Sequence, residues 1–406
     1  MFRASYTFIL YLCVFIPAFF FTNCVDQYSQ KRHALNRFLI VGICSILAIG
    51  IPTIFAGFRG IDIGTDIKVY AVPEYKLSQL CTGLKDYLNT TKTNMGYAFI
   101  VWISANIMHS FNVLLIMTEL LQVGPIFLTA YISRKHIPMW QVMFVFFFMH
   151  YVIGFNVMRQ SISAAFLLLA YVLYNEKHYK TTIICIIIAQ LFHSTAILGC
   201  LIVGTVIAVI SIKNRCLKWT ILCMFPLMTA IFLLFWDTWI TIILNSGLLP
   251  ADKFQIYLDV FSGKVQGPKS YMFEVEPTQY VEIALKVVYL FFPTLYTFKY
   301  RWWDRLHKEL FLFTFVGVLI NVMVLIVMHS AYGYRLAMYL EYFFILYIPY
   351  SCNNQMHWMK KKYDDTFKVS TSILWNILVL LSSFFLLYML WGHQETLPFY
   401  FEIYFK

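Results

Sequence analysis

Charge is what this sequence has least of: only 13% of its 406 residues are Asp, Glu, Lys or Arg, while 60% are hydrophobic. A water-soluble chain of this length needs far more polar surface, so a soluble globular domain is excluded. Cysteine is sparse and odd in number, at nine. Cys13, Cys44, Cys185, Cys200 and Cys223 lie in apolar runs, and there is no CxxC pair or Cys/His cluster with metal spacing. A structural zinc site and a disulfide framework are therefore not expected, and the pattern calls for neither a metal nor a cofactor. Internal repeats and low-complexity tracts are absent, and nothing marks off a separate soluble domain. The chain reads as a single membrane domain over 1–406.

What remains is one long apolar run after another. Each reads as a transmembrane helix, since roughly 20 residues cross the hydrocarbon core. Inside lipid only helices or a closed barrel satisfy every backbone amide, and the runs are not the ten-residue alternations of a barrel. The expected fold is all-α and polytopic, with about twelve spans. They fall at 6–22, 38–57, 112–132, 138–155, 156–175, 181–192, 194–212, 217–236, 280–299, 309–329, 334–350 and 369–391. The run from Tyr6 to Thr22 lacks a small-x-small cleavage site and is read as the first anchor. The segment 97–109 is too short to cross and is expected to lie at the interface. Two long polar stretches, 58–96 and 237–279, are expected as outer loops. The 28 Tyr and 39 Phe suit interfacial belts and lipid-facing packing.

Basic residues mark the cytoplasmic side of a membrane protein. They group at Lys31/Arg32/Arg37, Arg134/Lys135, Lys177/Lys180, Lys213/Arg215/Lys218, Lys299/Arg301/Arg305/Lys308 and Lys360/Lys361/Lys362/Lys368. All can lie inside if 181–212 crosses twice, turning near His193. These groups hold 18 of the 31 basic residues and 6 of the 20 acidic ones, so the net +11 divides into +12 inside and −1 elsewhere. The basic balance is then a topology signal and not a nucleic-acid footprint. A single crossing at 181–212 would instead strand Lys213, Arg215 and Lys218 outside.

Four polar constellations map to the outer side. Phe58-Arg59-Gly60-Ile61-Asp62-Ile63-Gly64-Thr65-Asp66, with Tyr70, combines an arginine, two carboxylates and two glycines. Arginine binds phosphate bidentately and a carboxylate serves as general base, although an Arg–Asp staple of the loop reads equally well. Asn156-Val157-Met158-Arg159-Gln160 sits between spans with no real loop, so its arginine is either functional or snorkels to headgroups. Ala189-Gln190-Leu191-Phe192-His193-Ser194 forms a polar turn between short spans, with a histidine suited to proton transfer or to a structural hydrogen bond. Tyr332-Gly333-Tyr334-Arg335, followed by Tyr339 and preceded by His329, is a second rim arginine or an interfacial anchor. Together they suit a lipid-linked diphosphate held by arginines, with a carboxylate or imidazole acting on a hydroxyl.

At these four places the sequence resembles the EpsG family of Wzy-type bacterial polysaccharide polymerases. The matching pieces are Phe58-Arg59-Gly60 with Gly64-Thr65-Asp66 and Tyr70, Asn156 with Arg159-Gln160, Phe192-His193-Ser194, and Arg335 with Tyr339. They span about 55–340 in family order; Ile67 after Asp66 departs from the family's usual pattern. The resemblance implies a GT-C-like membrane glycosyltransferase of the bacterial cytoplasmic membrane. It would join undecaprenyl-diphosphate-linked oligosaccharide units, as donor and acceptor, at the outer, periplasmic face. A flippase and a chain-length regulator are the companions it implies. In this reading Arg59, Arg159 and Arg335 bind the donor diphosphate, with Tyr70, Gln160 and Tyr339 beside them. Asp62, Asp66 or His193 takes the acceptor proton. Tyr257 and Tyr271 offer rings for sugars.

The alternatives are a flippase for the same lipid-linked sugar, a glycan ligase, and a sugar O-acyltransferase. A flippase needs charge at mid-membrane, where this chain offers only Glu119, Glu282, Lys286 and Glu341. An acyltransferase would show a cytoplasmic histidine–basic cluster, which is absent. A ligase shares the polymerase chemistry.

Overall fold

A computed structural model describes residues 2–30, 37–214, 277–300, 304–328, 333–352 and 377–386, with scattered positions between 216 and 242 and at 374. The described residues are helical, with no β-strand among them. They fall into two compact units. The first comprises Met1–Cys200, Phe291–Trp303 and Tyr342–Lys406; the second comprises Leu201–Leu290 and Asp304–Glu341. The expected loop 237–279, with Tyr257 and Tyr271, lies outside the described residues apart from single positions, and so do Tyr332 and His329. Most of the expected span 217–236 does too.

The first unit opens with α1 (Phe2–Gln30) and α2 (Arg37–Gly57). Tyr11, Phe15, Ala18, Thr22, Val25, Asp26 and Ser29 of α1 are buried at three- and four-residue spacing, the signature of one inward helical face. Its other face exposes Ile9, Ile16 and Phe20, and α2 exposes Phe38, Leu39, Ile43 and Ile46. Apolar faces left bare on helices this long are lipid-facing surfaces. Among the described residues four helices are long and apolar enough to cross a membrane: Tyr6–Gln30, Arg37–Gly57, Phe111–Ser133 and Arg305–Met323. The chain is thus an all-helical membrane protein.

The stretch 58–96 is largely folded. A π-helical turn (Ile67–Ala71) leads into α3 (Val72–Leu80) and then α4 (Leu84–Thr90). Local polar bonds explain why a stretch this polar holds together. Glu74 accepts from Tyr87 Oη at 2.8 Å and from Thr91 Oγ1 at 2.7 Å, while Asp86 accepts from the Thr82 N–H. Burial and the neighbouring Glu74 carboxylate push the Tyr87 phenol well above its ordinary value, so it keeps the proton it donates. Next, α5 (Met95–Trp102) runs into a second π-helical turn, Ile103–Ile107. The interfacial segment expected at 97–109 is this pair.

Then follow α6 (Phe111–Ser133), α7 (Met139–Met149) and α8 (Met158–Asn175), with a 3-10 turn at Ile153–Phe155 between the last two. The expected span 138–155 is therefore broken, and α7 at 11 residues is about 17 Å long, too short to cross alone. Phe15 of α1 stacks on Phe147 of α7 at 4.7 Å, and the Tyr151 hydroxyl donates to the Pro52 carbonyl at 2.6 Å. The hub is α8, buried from Gln160 through Val172. Its small Ser161, Ser163, Ala164 and Ala165 admit close neighbours, and Ser163 Oγ donates to the Ala189 carbonyl of α9 (Tyr179–Phe192). The chain breaks at His193 and resumes as α10 (Ala196–Ser211). So 181–212 forms two helices and not one.

Three further helices are α11 (Pro277–Tyr300), α12 (Arg305–Met328) and α13 (Gly333–Glu341). Within the second unit α12 packs on α13. Gly317 makes this close: a Cβ there would lie 2.9 Å from Leu340 Cβ. The chain returns to the first unit at Tyr342 and Phe343, whose rings meet His150 at 4.5 Å and Tyr171 at 5.1 Å.

One device recurs. The N-terminal amide of α7, at Met139, donates to Asp26 Oδ2 at 3.1 Å, across 113 positions of sequence. A remote carboxylate thus serves as helix cap. Replacing Asp26 by Ala is expected to destabilise the protein by about 1 kcal/mol, and by Asn much less, since Asn keeps an acceptor oxygen. Thermal unfolding of the detergent-solubilised variants measures this.

Candidate functional site

Two of the motifs interlock across 91 and 92 positions of sequence. Gly64 adopts φ +97°, a region open to glycine, and a Cβ there would lie 2.5 Å from the Phe155 carbonyl oxygen. That close approach seats Thr65 beside Asn156. Asn156 Oδ1 accepts from the Thr65 N–H at 2.8 Å and from Thr65 Oγ1 at 3.3 Å. Asp66 Oδ2 then accepts from the Met158 N–H at 3.0 Å. Met158 is the first residue of α8, and the preceding Val157 offers no side-chain cap. Asp66 supplies the missing acceptor, as Asp26 does for α7, and its negative charge suits the positive end of the helix dipole.

Arg159 follows immediately. Its guanidinium lies over the Tyr70 ring at 4.5 Å and near the Tyr97 ring at 5.8 Å. Arg159 is half-buried, and among the described residues it has no hydrogen-bond or ion-pair partner. Cation–π contact holds the plane of the group and leaves its N–H edge uncommitted. An arginine presented in this way has the geometry to take a bidentate oxyanion.

Arg59 is arranged oppositely. It is wholly buried, at 0% exposure. Its Nη1 donates to the Ala56 carbonyl at 2.8 Å and stands 3.8 Å from Glu119 Oε2. Its Nη2 reaches Met158 Sδ at 3.4 Å, and the group lies 4.2 Å from the Phe155 ring centroid. Arg59, expected at the diphosphate, is thus enclosed by Ala56, Glu119, Met158 and Phe155. Its ion-pair partner is Glu119 of α6. Because it touches both Phe155 and Met158, Arg59 buttresses the segment that presents Arg159.

The three candidate bases differ. Asp66 is buried as the α8 cap, with its Oδ2 accepting from the Met158 N–H. Asp62 is exposed and paired with Lys68. His193 is half-buried, with Nδ1 2.7 Å from Thr195 Oγ1 and facing the Thr195 N–H at 3.4 Å. The turn carrying His193 is near Tyr97: a Cβ on Gly96 would meet the Leu191 carbonyl oxygen at 2.9 Å and the Phe192 ring at 3.1 Å. Gln160 is buried within α8. Arg335, half-buried, and Tyr339, buried, belong to the second unit.

The motifs themselves did not contain Tyr97, Glu119 or Phe155. A lone carboxylate in an apolar run did flag Glu119. Tyr97 carried no such signal, since it becomes notable only once folded beside Arg159. Its hydroxyl is buried with no hydrogen-bond partner among the described residues.

The sequence matches the EpsG family over residues 42–401. No curated protein and no solved structure matches it.

Gly64→Ala combines a strained φ with a clash on backbone, so a loss of about 2 kcal/mol or more of stability is expected. The measurement is the midpoint of thermal unfolding beside that of Gly83→Ala, where a Cβ meets nothing within 4 Å.

Proposed function

Because the chain belongs to the EpsG family, a family of membrane polysaccharide biosynthesis, we propose that it is a Wzy-type polymerase. It would lengthen glycans by joining oligosaccharide units carried on undecaprenyl diphosphate, in a GT-C-like fold of about twelve spans. The working face is the outer face of the bacterial cytoplasmic membrane, opposite the basic loops. The observation that carries this reading is Arg159, an arginine held by two aromatic faces with its donor edge open.

In the proposed mechanism Arg159 binds the donor diphosphate. Transfer breaks the bond between the anomeric carbon of the reducing-end sugar and the diphosphate oxygen. Negative charge accumulates on that oxygen, where a guanidinium stabilises it most in the transition state. Arg335, with Tyr339, is proposed as a substrate contact of the second unit. Asp62, an exposed carboxylate of the same loop, is the proposed acceptor of the hydroxyl proton. His193 is the other proposed acceptor of that proton. Asp66, Asn156, Arg59 and Glu119 position Arg159. Tyr70 and Gln160 complete its surroundings.

Arg159→Ala is expected to leave only single repeat units on lipid, at undiminished protein level. Arg159→Lys should retain partial activity, since a point charge replaces a planar fork. Polymer length on gels of membrane extracts reads both, and full-length polymer from Arg159→Ala would remove the diphosphate role. Asp66→Asn keeps a carbonyl oxygen for the Met158 N–H, so it is expected to polymerise better than Asp66→Ala. A base would lose its function in both. Equal loss in the two, with equal stability, would restore Asp66 as a base.

A further inference from the structure

Beside Arg159 stands a hydroxyl that the proposed mechanism does not use. Tyr97 lies on α5 and is wholly buried, at 0% exposure. Its ring centroid is 5.8 Å from the Arg159 guanidinium carbon, and its Oη has no hydrogen-bond partner among the described residues. Of the charges that act on that phenol Arg159 is the strongest, followed by Asp66, Arg59 and Glu74. Gly96 lets α5 close on the end of α9, since a Cβ there would lie 2.9 Å from the Leu191 carbonyl oxygen. Tyr97, Arg159 and Tyr70 thus converge from α5, α8 and the π-helical turn at Ile67–Ala71, all within the first unit.

An unpaired donor in a protein interior costs stability, so a tyrosine that serves structure alone bonds its hydroxyl. Two other buried tyrosines do so: Tyr87 donates to Glu74 at 2.8 Å, and Tyr151 to the Pro52 carbonyl at 2.6 Å. The carboxylates near Tyr97 serve other donors. Glu74 Oε2 takes Thr91 Oγ1 as well as Tyr87, and Asp66 Oδ2 takes the Met158 N–H. A phenol ordinarily keeps its proton until about pH 10, so Tyr97 is a neutral donor beside a half-buried cation. Phenylalanine would fill the same space without the cost of the hydroxyl. What separates Tyr97 from other buried polar atoms without a partner, such as the Gln122 amide of α6, is the half-buried guanidinium beside it.

We propose that the Tyr97 hydroxyl is a second donor to the oxyanion that Arg159 binds, an inference that rests on reading that site as the diphosphate site. Arg159 supplies the charge through its planar fork, and Tyr97 supplies a neutral O–H to another oxygen of the same group. The half-buried Arg159 side chain is the way in. As its donor edge turns to the anion, the guanidinium moves off the Tyr97 ring and the hydroxyl gains its acceptor. Tyr97 thereby sets selectivity for the anionic end of the lipid over an uncharged one.

Binding of undecaprenyl diphosphate and of uncharged undecaprenol to the full-length protein in lipid nanodiscs, read by native mass spectrometry, tests this. Tyr97→Phe keeps the ring and removes only the hydroxyl. It is expected to weaken undecaprenyl diphosphate about tenfold and to leave undecaprenol unchanged, with the unfolding midpoint unchanged or raised. Tyr87→Phe, which breaks the bond to Glu74, should instead lower the midpoint and leave the selectivity between the two lipids as it is. Wild-type binding of the diphosphate by Tyr97→Phe would overturn the proposal. So would a parallel loss of both lipids, or a lowered midpoint, which would make the hydroxyl an internal bond. Arg159→Ala separates the two claims: weakened diphosphate binding there, beside wild-type binding in Tyr97→Phe, keeps the diphosphate reading and removes Tyr97. A protein that binds the diphosphate through Tyr97 yet extends no glycan keeps the Tyr97 role and removes the polymerase reading.

Discussion

The bond from the Met158 N–H to Asp66 Oδ2 is the contact on which the first unit's site depends. It joins two motifs 92 positions apart and starts α8 at a fixed residue. Without it the first amide of α8 would be an unpaired donor in an apolar setting, a cost of about 1–3 kcal/mol. With it, residue 159 emerges from the helix at one angle and meets Tyr70 and Tyr97. Asn156 and Gly64 complete the lock: one bonds the Thr65 backbone, the other leaves room for the Phe155 carbonyl. Asp26 plays the same part for α7. Helix starts inside this bundle are thus set by acids on distant segments, and the short helices α7 and α8 are placed by those bonds as well as by packing.

Two arginines in one small region carry opposite commitments. Arg59 is desolvated and enclosed by a carbonyl, a thioether, a ring and Glu119. Burying a lone guanidinium is prohibitive, so Arg59 and Glu119 need each other. Arg159 has the same chemistry but meets only aromatic faces. The difference is one of surroundings: a carbonyl, a thioether and a carboxylate gather round Arg59, while two rings face Arg159. In the proposed reading an anionic ligand meets the donor edge of Arg159.

Long apolar elements were legible in the sequence because hydropathy and length decide them. The expected 38–57 and 112–132 are the helices Arg37–Gly57 and Phe111–Ser133, and the turn near His193 lies where charge alternation placed it. Less legible was the break in 138–155, which hydropathy does not see because Phe146, Phe147 and Tyr151 are apolar on either side of it. The helices within 58–96 were hidden for the converse reason: they are held by Glu74, Tyr87 and Thr91, polar groups whose composition alone reads as loop. At the site, residue types pointed to the right segments. Roles could not be read there, since an arginine's free edge depends on who else is present. Arg59 and Asp66, read from the motif as site residues, are buried and bonded within the protein.

The account stands on Asp66 acting through the start of α8 and not on substrate. The direct measurement is a double-mutant cycle on the rate of chain extension, using purified protein in lipid with lipid-linked repeat units and the variants Asp66→Ala, Arg159→Lys and both together. If Asp66 serves to aim Arg159, the double variant should fall little below the weaker of the two single variants. Losses that multiply, with stability unchanged, would show that Asp66 has its own role in the reaction and would contradict the account.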